Sequence, residues 1–247
     1  MNLVSIVTPY YKKRKFFYKT ILSVKNQTYQ NFELIIIYDD TDKNDYEFIE
    51  GICKNDQRIK ILKNNFNLGA GESRNQGINI SKGKYIAFLD ADDLWHEQKL
   101  EKQMKFMENN DYYICHTSYE IINEKNIIIG KRISKNFLNF QSLLKSCDIG
   151  LSTVMIKREI LKKDLRFPKL KTKEDFVLWL NLLKQNYKIM ALDENLTFWR
   201  KLNNSLSSAF FQKLQDGFKV YYKHMDFGFF KSFYLLSCLC FNFLRKK

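Results

Sequence analysis

The 247-residue sequence predicts an α/β protein in which helices flank a mostly parallel central sheet. Up to residue 93, short β-branched or aromatic runs alternate with segments whose apolar residues recur at helical spacing, and the connections are short. A hydrophobic content of 45% and an aromatic content of 15% are sufficient for a packed core. No Pro-, Gly- or Ser-rich linker interrupts the chain. At this length the chain is either one large α/β domain or one domain with an appendage.

The first half of the chain carries the regular strand–helix alternation. Strands are predicted at residues 3–8, where Pro9 ends a β-branched run, and at 32–38, 58–62 and 85–89. Helices are predicted at about residues 14–26 and 45–54, and the glycine-rich loop at 67–77 begins a third helix that ends near residue 82.

The second half is less regular. We predict a helix at 96–109, a strand at 112–117, an antiparallel hairpin that pairs 121–122 with 127–129, a helix at 140–146 and a strand at 152–156. A helix from Glu174 to Leu183, short strands at 189–192 and 196–202, and a helical segment from about residue 207 follow.

Polar side chains follow three of the predicted parallel strands. Thr8 and Tyr10 end the first strand, Asp39 and Asp40 follow the second, and Asp90 begins the acidic cluster after the fourth. Ligands of open α/β sheets bind beyond the carboxyl ends of the strands. The sequence therefore predicts that these three polar clusters meet at one edge of the sheet.

The acidic cluster consists of Asp90, Asp92 and Asp93, directly after a strand that is apolar on both faces. So much negative charge beside a buried strand is costly unless a cation neutralises it. Mg²⁺ and Mn²⁺ prefer oxygen ligands, and either bound ion would favour a phosphate group. The alternative is an acidic turn in which Asp93 is the N-cap of a helix that starts near Leu94.

The overall charge and the cysteines limit the class of protein. The formal net charge of +14 fits an anionic membrane surface or a phosphorylated substrate, but a genome rich in Lys, Asn and Ile codons explains it as well. No nucleic-acid-binding pattern accompanies the charge, so no nucleic acid partner is expected. Five Cys without a C-x-x-C pair favour a reducing compartment over a disulfide framework. The apolar run at residues 3–8 is too short for a signal peptide.

Six segments together resemble the family 2 glycosyltransferases of the GT-A fold, in the branch that builds bacterial surface polysaccharides. They are VSIVTPYY (residues 4–11), SVKNQTY (23–29), FELIIIYDD (32–40), NLGAGESRNQG (67–77), FLDADDLW (88–95) and KEDFVLWL (173–180). Their order and spacing make the resemblance specific over residues 2–208. It implies a GT-A domain over residues 1–208, which is a Rossmann-like nucleotide-binding sandwich, followed here by a helical extension over residues 209–247.

The resemblance implies a nucleoside diphosphate sugar donor and assigns residues to it. Thr8, Pro9, Tyr10 and Asp40 match positions that line the base, and a carboxylate at Asp40 can accept a hydrogen bond from uracil N3–H, which favours UDP. Asp39 belongs to the same acidic pair and is better suited to steady the turn. Arg74 matches an arginine near the nucleotide, although a surface cation is the alternative. Asp90 and Asp92 match the pair that holds the ribose and the divalent metal.

The resemblance also implies a catalytic base. Asp175 matches the family's Glu-Asp dipeptide and would take the proton of the acceptor hydroxyl in a single displacement with inversion. The alternative is that Glu174 and Asp175 only complement the positive end of their helix. Arg200 faces either the diphosphate or acceptor or a structural partner, and Trp179 fits the core better than a sugar platform.

Three departures from the family pattern remove no charged participant: Tyr11 replaces a common Asn, no Gly-Ser follows the acidic pair, and Ser73 replaces a frequent Ala. Two other classes remain open. A dinucleotide-dependent oxidoreductase is suggested by Gly69-x-Gly71, but Arg74 stands where the third Gly of that motif belongs. A non-catalytic scaffold or carbohydrate-binding module is disfavoured by the intact acidic residues.

The C-terminal segment at residues 227–244 is strongly apolar, and Lys231 is its only charge. As a helix it would be about 27 Å long, which is marginal for crossing a bilayer. Lys231, Cys238, Asn242 and Arg245 fall on one narrow stripe, which suits a helix on the membrane surface or on the catalytic domain. Because the implied acceptor is lipid-linked, we expect peripheral membrane contact at the cytoplasmic face of the inner membrane.

Overall fold

The computed structural model describes residues 2–202 and 210–245. The strands over these residues are β1 (Val4–Tyr10), β2 (Phe32–Tyr38), β3 (Ile59–Lys63), β4 (Tyr85–Phe88), β5 (Leu94–Trp95), β6 (Ile114–Ile122), β7 (Ile128–Arg132), β8 (Met155–Lys157) and β9 (Ile189–Arg200). The helices are α1 (Arg14–Lys25), α2 (Lys43–Cys53), α3 (Ala70–Ile80), α4 (Lys99–Asn109), α5 (Phe140–Leu143), α6 (Glu174–Lys184), α7 (Phe210–Lys219) and α8 (Phe229–Leu244).

All strands belong to one sheet with the order β3-β2-β1-β4-β8-β6-β9-β5, and β7 pairs with β6. Strands β1 to β4 are mutually parallel, with Tyr10 opposite Tyr38 and Val7 opposite Phe88. Strand β8 is antiparallel to both of its neighbours, and β6 and β9 pair in parallel. The predicted mostly parallel sheet is therefore confirmed for the first half of the chain, and so is the antiparallel hairpin of β6 and β7.

Helices cover both faces of the sheet because the buried strands are apolar on both sides. One core joins the sheet to α1, α2 and α4, through residues such as Phe17, Ile49 and Met104. The other core joins the opposite face to α6 and the C-terminal helices, and Trp179 is fully buried there, in agreement with its predicted core position. Helix α3 lies so close to β1 that a Cβ at Gly77 would come within 2.4 Å of Val7 Cγ1.

Two predictions for the second half are wrong. Leu94 does not begin a helix, because Leu94 and Trp95 form β5, which pairs antiparallel with Phe198 and Thr197. The two short strands predicted at 189–192 and 196–202 are one strand, β9, which bulges where it passes Ser118 of β6. The polar residues that appeared to separate two strands lie within this bulged region.

The C-terminal helices pack on the domain that the preceding residues form. Leu235 and Leu239 of α8 belong to the same core as α6, and one π-helical turn, Val220–His224, connects α7 with the turn before α8. Of the helices in the described part of the chain, none has the length and apolar character needed to cross a bilayer. The start predicted at about residue 207 falls outside the described residues, and the division at residue 208 stays a prediction.

Lys99 at the start of α4 is fully buried. Its ammonium lies 4.2 Å from the centre of the Trp95 ring and hydrogen-bonds the Gln103 side chain, and none of the ion pairs among the described residues involves it. Burial lowers the pKa of Lys99 to about 7. The folded protein must therefore either bury a charge or release a proton that the unfolded chain holds up to about pH 10.

We expect Lys99→Met to stabilise the protein at pH 7 by about 1–4 kcal/mol, because the substitution keeps the volume and removes the buried charge. The stability of the wild type should rise between about pH 7 and pH 10, where only the unfolded chain still binds the proton, and the variant should lose this slope. Thermal melts at pH 7 and pH 9 measure both effects. The exposed Lys105 on the same helix supplies the control, Lys105→Met, and a lower melting temperature for Lys99→Met would contradict the expectation.

Candidate active site

The carboxyl ends of β1, β2 and β4 meet at one edge of the sheet. Thr8 lies in β1, Asp39 and Asp40 directly follow β2, and Asp90 follows β4 after one residue. The backbone amide of Asp39 donates to Tyr10 O at 2.9 Å and holds the first two strand ends together. This edge brings together the three polar clusters that the sequence places after separate strands.

Asp39 fastens the glycine-rich loop to the end of β2. Its Oδ1 accepts from the Leu68 amide at 2.8 Å and from the Asn64 side chain at 2.7 Å, and its Oδ2 accepts from the Gly69 amide at 2.8 Å. Gly69 has φ +86°, a conformation that costs Gly little and other residues more. These contacts support the steadying role that the sequence suggested for Asp39 more strongly than direct contact with a nucleotide.

Asp40 and Thr8 present buried polar atoms that bind nothing in the described structure. Asp40 Oδ1 accepts from the Thr41 amide at 2.8 Å, but Asp40 Oδ2 and Thr8 Oγ1 are buried without a hydrogen-bond partner among the described residues. Both side chains are at most 5% exposed. Buried polar groups are nearly always paired in proteins, so two such atoms at adjacent strand ends indicate a place for a polar ligand.

The two neighbouring residues with predicted base contacts differ in exposure. Pro9 is partly exposed at the edge of the sheet, whereas Tyr10 is fully buried and stacks on Tyr38. The Tyr10 hydroxyl donates to Asp45 Oδ2 at 2.6 Å. The Tyr10 side chain therefore packs the end of β1 from within the core, and a nucleotide contact of its own stays a prediction.

Arg74 on α3 connects the acidic strand end with helix α6. Its Nη2 lies 2.7 Å from Asp90 Oδ1 and its Nη1 lies 2.6 Å from Glu174 Oε1. The arginine is 4% exposed, which excludes the surface-cation alternative. Its Nε has no partner among the described residues. One guanidinium thus pairs with two carboxylates that are distant from it along the chain. Asp90 follows Arg74 by 16 residues and Glu174 follows it by 100.

Asp92 forms an ion pair with Lys13, whose ammonium lies 2.7 Å from Asp92 Oδ2. Burial and the neighbouring Asp90 raise the pKa of Asp92, and Lys13 opposes this shift. The Asp90 side chain is 32% exposed, so this part of the acidic cluster remains accessible. No group of three or more His, Cys, Asp or Glu side chains in residues 2–202 and 210–245 is arranged to hold a metal ion by itself.

Asp93 is not a helix N-cap, contrary to the prediction. Its Oδ2 accepts from the Ser152 hydroxyl at 2.6 Å, and its Oδ1 accepts from the Arg200 amide at 2.8 Å. Ser152 Oγ also accepts from the Asp90 amide at 3.0 Å. Asp93 and Ser152 therefore fix the turn that carries Asp90 and Asp92, and burial raises the pKa of Asp93 well above its usual value.

Arg200 at the end of β9 lies against the same turn. Its Nε donates to the backbone oxygen of Asp92 at 2.7 Å and its Nη1 donates to Asn123 O at 2.9 Å. Its Nη2 is buried without a partner among the described residues. The structure shows that Arg200 has structural partners. Its contact with a diphosphate or an acceptor stays a prediction, and the unpaired Nη2 atom is the observation that favours it.

Asp175 lies in the first turn of α6, next to the ion-paired Glu174. Its Oδ1 accepts from the Phe176 amide at 2.7 Å, and burial raises its pKa, while Lys173 and Arg74 oppose the shift. Burial also raises the pKa of Glu174 to about 7. Glu174 therefore does more than complement the helix, since it holds Arg74. Lys173 precedes this pair with φ 68°, a left-handed conformation that is uncommon for Lys and recurs at functional sites.

Three contacts of this site were not predicted from the sequence, although Glu174 itself was considered there. Lys13, Ser152 and Glu174 each bind an aspartate or arginine that is distant along the chain. The basic residues directly after β1 were a signal for Lys13, because they follow a strand that ends at the same edge. Nothing in the local pattern around Ser152 distinguishes it from other loop serines.

Comparisons with known proteins show which family the chain resembles. The family model described as "Glycosyl transferase family 2" matches residues 5–165. Two Escherichia coli enzymes, each named UDP-Glc:alpha-D-GlcNAc-diphosphoundecaprenol beta-1,3-glucosyltransferase, are similar over most of their length. WfgD is 36% identical, covering 95% of this chain and 91% of WfgD, and WfaP is 38% identical, covering 87% of this chain and 83% of WfaP.

Solved structures show the same fold. S. aureus TarS 1–349 in complex with UDP-GlcNAc superposes with a TM-score of 0.72 at 18% identity, covering 96% of this chain and 70% of TarS 1–349. Mannosyltransferase PcManGT from Pyrobaculum calidifontis, in complex with GDP-Man and Mn²⁺, superposes with a TM-score of 0.70 at 13% identity, covering 91% of this chain and 64% of PcManGT. At these identities the likeness concerns the fold.

The predicted GT-A fold and the resemblance to the surface-polysaccharide branch are thus confirmed. Among the three classes considered from the sequence, these findings support neither the oxidoreductase nor the non-catalytic module. The chain belongs to glycosyl transferase family 2 and is a glycosyltransferase.

Proposed function

We propose that the protein transfers a sugar from a UDP-sugar to a hydroxyl group of a lipid-linked acceptor, with inversion, with release of UDP and with the help of a divalent metal. The observation that carries the proposal is Asp40 Oδ2, a buried carboxylate oxygen without a hydrogen-bond partner among the described residues. Uracil offers it an N3–H donor at the end of the sheet where nucleotides bind in such folds. Thr8 Oγ1, buried and equally unpaired, lies on the adjacent strand.

The acidic turn fits a hard divalent cation. Asp90 and Asp92 supply only oxygen donors, which Mg²⁺ and Mn²⁺ prefer, and Asp90 remains partly exposed. Asp90 and Asp92 would hold the ion together with the donor diphosphate, and Lys13 and Arg74 would compensate any carboxylate charge that remains. When bound, the ion would offset the negative charge of the departing diphosphate. The Mn²⁺ complex of PcManGT supports this choice of ion.

Asp175 is the proposed general base. It would take the proton of the acceptor hydroxyl while that oxygen bonds to the anomeric carbon and the bond from that carbon to the diphosphate breaks. Burial raises the pKa of Asp175, which strengthens it as a base. Arg74 fixes the start of α6 through Glu174 and so positions Asp175 beside the acidic turn. With one base and a single displacement, the configuration at the anomeric carbon inverts.

The acceptor class is inferred from the relatives. The names of WfgD and WfaP specify a diphosphoundecaprenol-linked GlcNAc acceptor and a UDP-Glc donor. If the acceptor of this chain is a lipid-linked glycan, the transfer would take place at a membrane surface. We propose the cytoplasmic face of the inner membrane, where UDP-sugars are available.

Asp40→Ala tests the donor assignment. We expect the variant to bind UDP about 10- to 100-fold more weakly than the wild type in Mn²⁺, because a charge-assisted hydrogen bond to the base is lost. Titration calorimetry with UDP, and thermal shift with UDP, GDP, ADP and CDP, measure the affinity and the base preference. The control, Glu47→Ala, removes one negative charge from the exposed side of the neighbouring helix α2 and should leave the affinity unchanged.

EDTA should reduce the UDP-dependent thermal shift of the wild type if the metal completes the diphosphate site. A wild type that shows no UDP-dependent shift, or that binds GDP more tightly than UDP, would overturn the donor assignment. Equal UDP affinity for Asp40→Ala and the wild type would remove Asp40 from the base site.

A further inference from the structure

Helix α8 presents a row of large apolar side chains away from the protein. Ser232, Leu235 and Leu239 face the core and are at most 7% exposed. The row, which we call the α8 outer face, consists of Phe230, Phe233, Tyr234, Phe241 and Leu244. These residues are 55–88% exposed, and Phe230 at 88% is the most exposed of them.

The α8 outer face lies directly opposite the buried side of the helix. At about 100° per residue, Phe230, Phe233, Phe241 and Leu244 fall within an arc of about 80°, and the centre of that arc is about 180° from Leu235 and Leu239. Helix α8 is thus apolar on two opposite faces, of which only one is buried. Large exposed apolar patches mark interaction sites, so the outer face requires a partner.

The polar stripe does not take the position that a surface helix would give it. Lys231, Cys238, Asn242 and Arg245 share one side of α8, but Asn242 donates to Lys145 O at 3.0 Å, so the stripe borders the domain. Helix α8 is therefore packed on the domain, which is one of the two arrangements that the sequence left open. The side of α8 that faces away from the domain is the aromatic one.

Basic residues surround the α8 outer face. The Lys145 ammonium lies 5.5 Å from the centre of the Tyr234 ring, and Lys213 lies 5.4 Å from that of Phe243. Lys231 and Arg245 stand on the helix itself and are exposed. From residue 217 to the end of the sequence, Asp226 is the only acidic residue. The surface thus combines exposed aromatic rings with positive charge.

We propose that the α8 outer face docks on an anionic lipid bilayer, with the helix axis parallel to the membrane and the aromatic rings inserted at the headgroup level. Aromatic side chains prefer this depth, and a basic rim is attracted to anionic headgroups. A second copy of the chain is a poorer partner, because a twofold contact would bring two basic rims together. The helix, at 16 residues, is too short to span the bilayer.

The docked orientation would bring the proposed base towards the lipid. Asp216 of α7 accepts from the amide and the hydroxyl of Thr172, at 3.0 and 3.1 Å, three residues before Asp175. The buried side of α8 shares its core with α6, whose first turn carries Asp175. The same helices therefore hold both the membrane face and the base, so that a lipid-linked acceptor would reach the base from the bilayer. This last step rests on the proposed acceptor class.

Sedimentation with vesicles tests the surface. The full-length protein should bind vesicles of phosphatidylglycerol and phosphatidylcholine in equal parts, and F230S/F233S/F241S should bind at least about 100-fold more weakly. The control I127S/I129S/I133S changes three exposed apolar residues on the β6–β7 hairpin and its exit, and should bind as the wild type does. Pure phosphatidylcholine vesicles should bind more weakly, and Lys231→Gln and Arg245→Gln should each lower binding to the anionic vesicles about fivefold.

A second measurement locates the contact. Brominated lipids should quench the tryptophan fluorescence of the Phe230→Trp variant more strongly than that of the wild type, because the native tryptophans lie outside α8. The melting temperature of the F230S/F233S/F241S variant should stay at the wild-type value or above, because the removed side chains face solvent, and its UDP-dependent thermal shift should persist.

Equal sedimentation of the wild type and the triple variant, or no binding of the wild type to anionic vesicles, would overturn the proposal. A dimer in analytical ultracentrifugation that the triple variant abolishes, without vesicle binding, would assign the face to a second copy instead. Vesicle binding without a UDP-dependent shift would remove the proposed donor and leave the membrane surface in place.

Discussion

Asp175→Asn is expected to lower kcat by about 10²- to 10⁴-fold, which is the range that a positioned general base contributes. Asn has nearly the same shape and can still accept from the Phe176 amide, so the start of α6 should keep its structure. The affinity for UDP should not change, because the substitution removes a proton acceptor on the acceptor side. UDP release under saturating donor measures kcat, and calorimetry measures the UDP affinity.

The pH dependence gives a second readout of the same change. Burial raises the pKa of Asp175, and only its deprotonated form can act as a base. When the solution is acidified, the wild-type rate should therefore begin to fall at a higher pH than it would if the base were an ordinary aspartate. Asp175→Asn should lose this acid limb. Asp164→Asn changes an exposed carboxylate before α6 and serves as the control. If Asp175→Asn retains a tenth or more of the wild-type kcat, Asp175 is not the base.

Arg74→Met is expected to destabilise the protein by about 3–5 kcal/mol, the usual cost of removing one partner from a buried ion pair. The substitution keeps most of the side-chain volume but leaves Asp90 and Glu174 without their shared cation. In a protein of this size, each kcal/mol corresponds to a shift of about 2–4 °C in Tm. Arg74→Lys keeps the charge but cannot bond both carboxylates through a planar fork, so we expect an intermediate loss.

The loss should depend on pH. Burial raises the pKa of Glu174 to about 7 even in the presence of Arg74, so the folded protein binds this proton more tightly than the unfolded chain does, and its contribution to stability falls as the pH rises through about 7. Without Arg74 the pKa of Glu174 should rise further. Arg74→Met should therefore cost more stability at pH 8 than at pH 6.

A double variant separates the two carboxylates. Adding Glu174→Gln to Arg74→Met should recover part of the lost stability at pH 8, because it removes one of the unpaired buried charges. Urea unfolding at both pH values provides the free energies, and Arg14→Met, at an exposed ion pair, is the control. A destabilisation below about 1 kcal/mol would show that the buried bridge contributes no more than a surface pair does.

The parallel half of the fold could be predicted because each element carries its own signal. Strand β2 has the predicted bounds, since a buried apolar run begins at Phe32 and acidic residues follow Tyr38. The failures concern partners that are distant along the chain. Leu94 appeared to begin a helix after Asp93, and only the return of β9, about a hundred residues later, makes it a strand.

The site divides in the same way. Asp40, Asp90 and Asp175 could be proposed as site residues because short motifs carry them at strand and helix ends. Their partners could not, since the choice of Glu174 rather than Asp175 for Arg74 depends on how α6 approaches α3. The sequence left the position of α8 open for a related reason: the pattern gives the faces of a helix, whereas the packing of Leu235 and Leu239 decides which face is buried.

The hold of Asp39 on the glycine-rich loop has a consequence for which residues in this loop can be exchanged. Asp39 binds the backbone amides of Leu68 and Gly69 rather than their side chains. This contact therefore makes no demand on the side chain at position 68, whereas position 69 is restricted by its left-handed backbone and position 39 by its two accepting oxygens. Diversity introduced by design at this entrance is best directed to position 68.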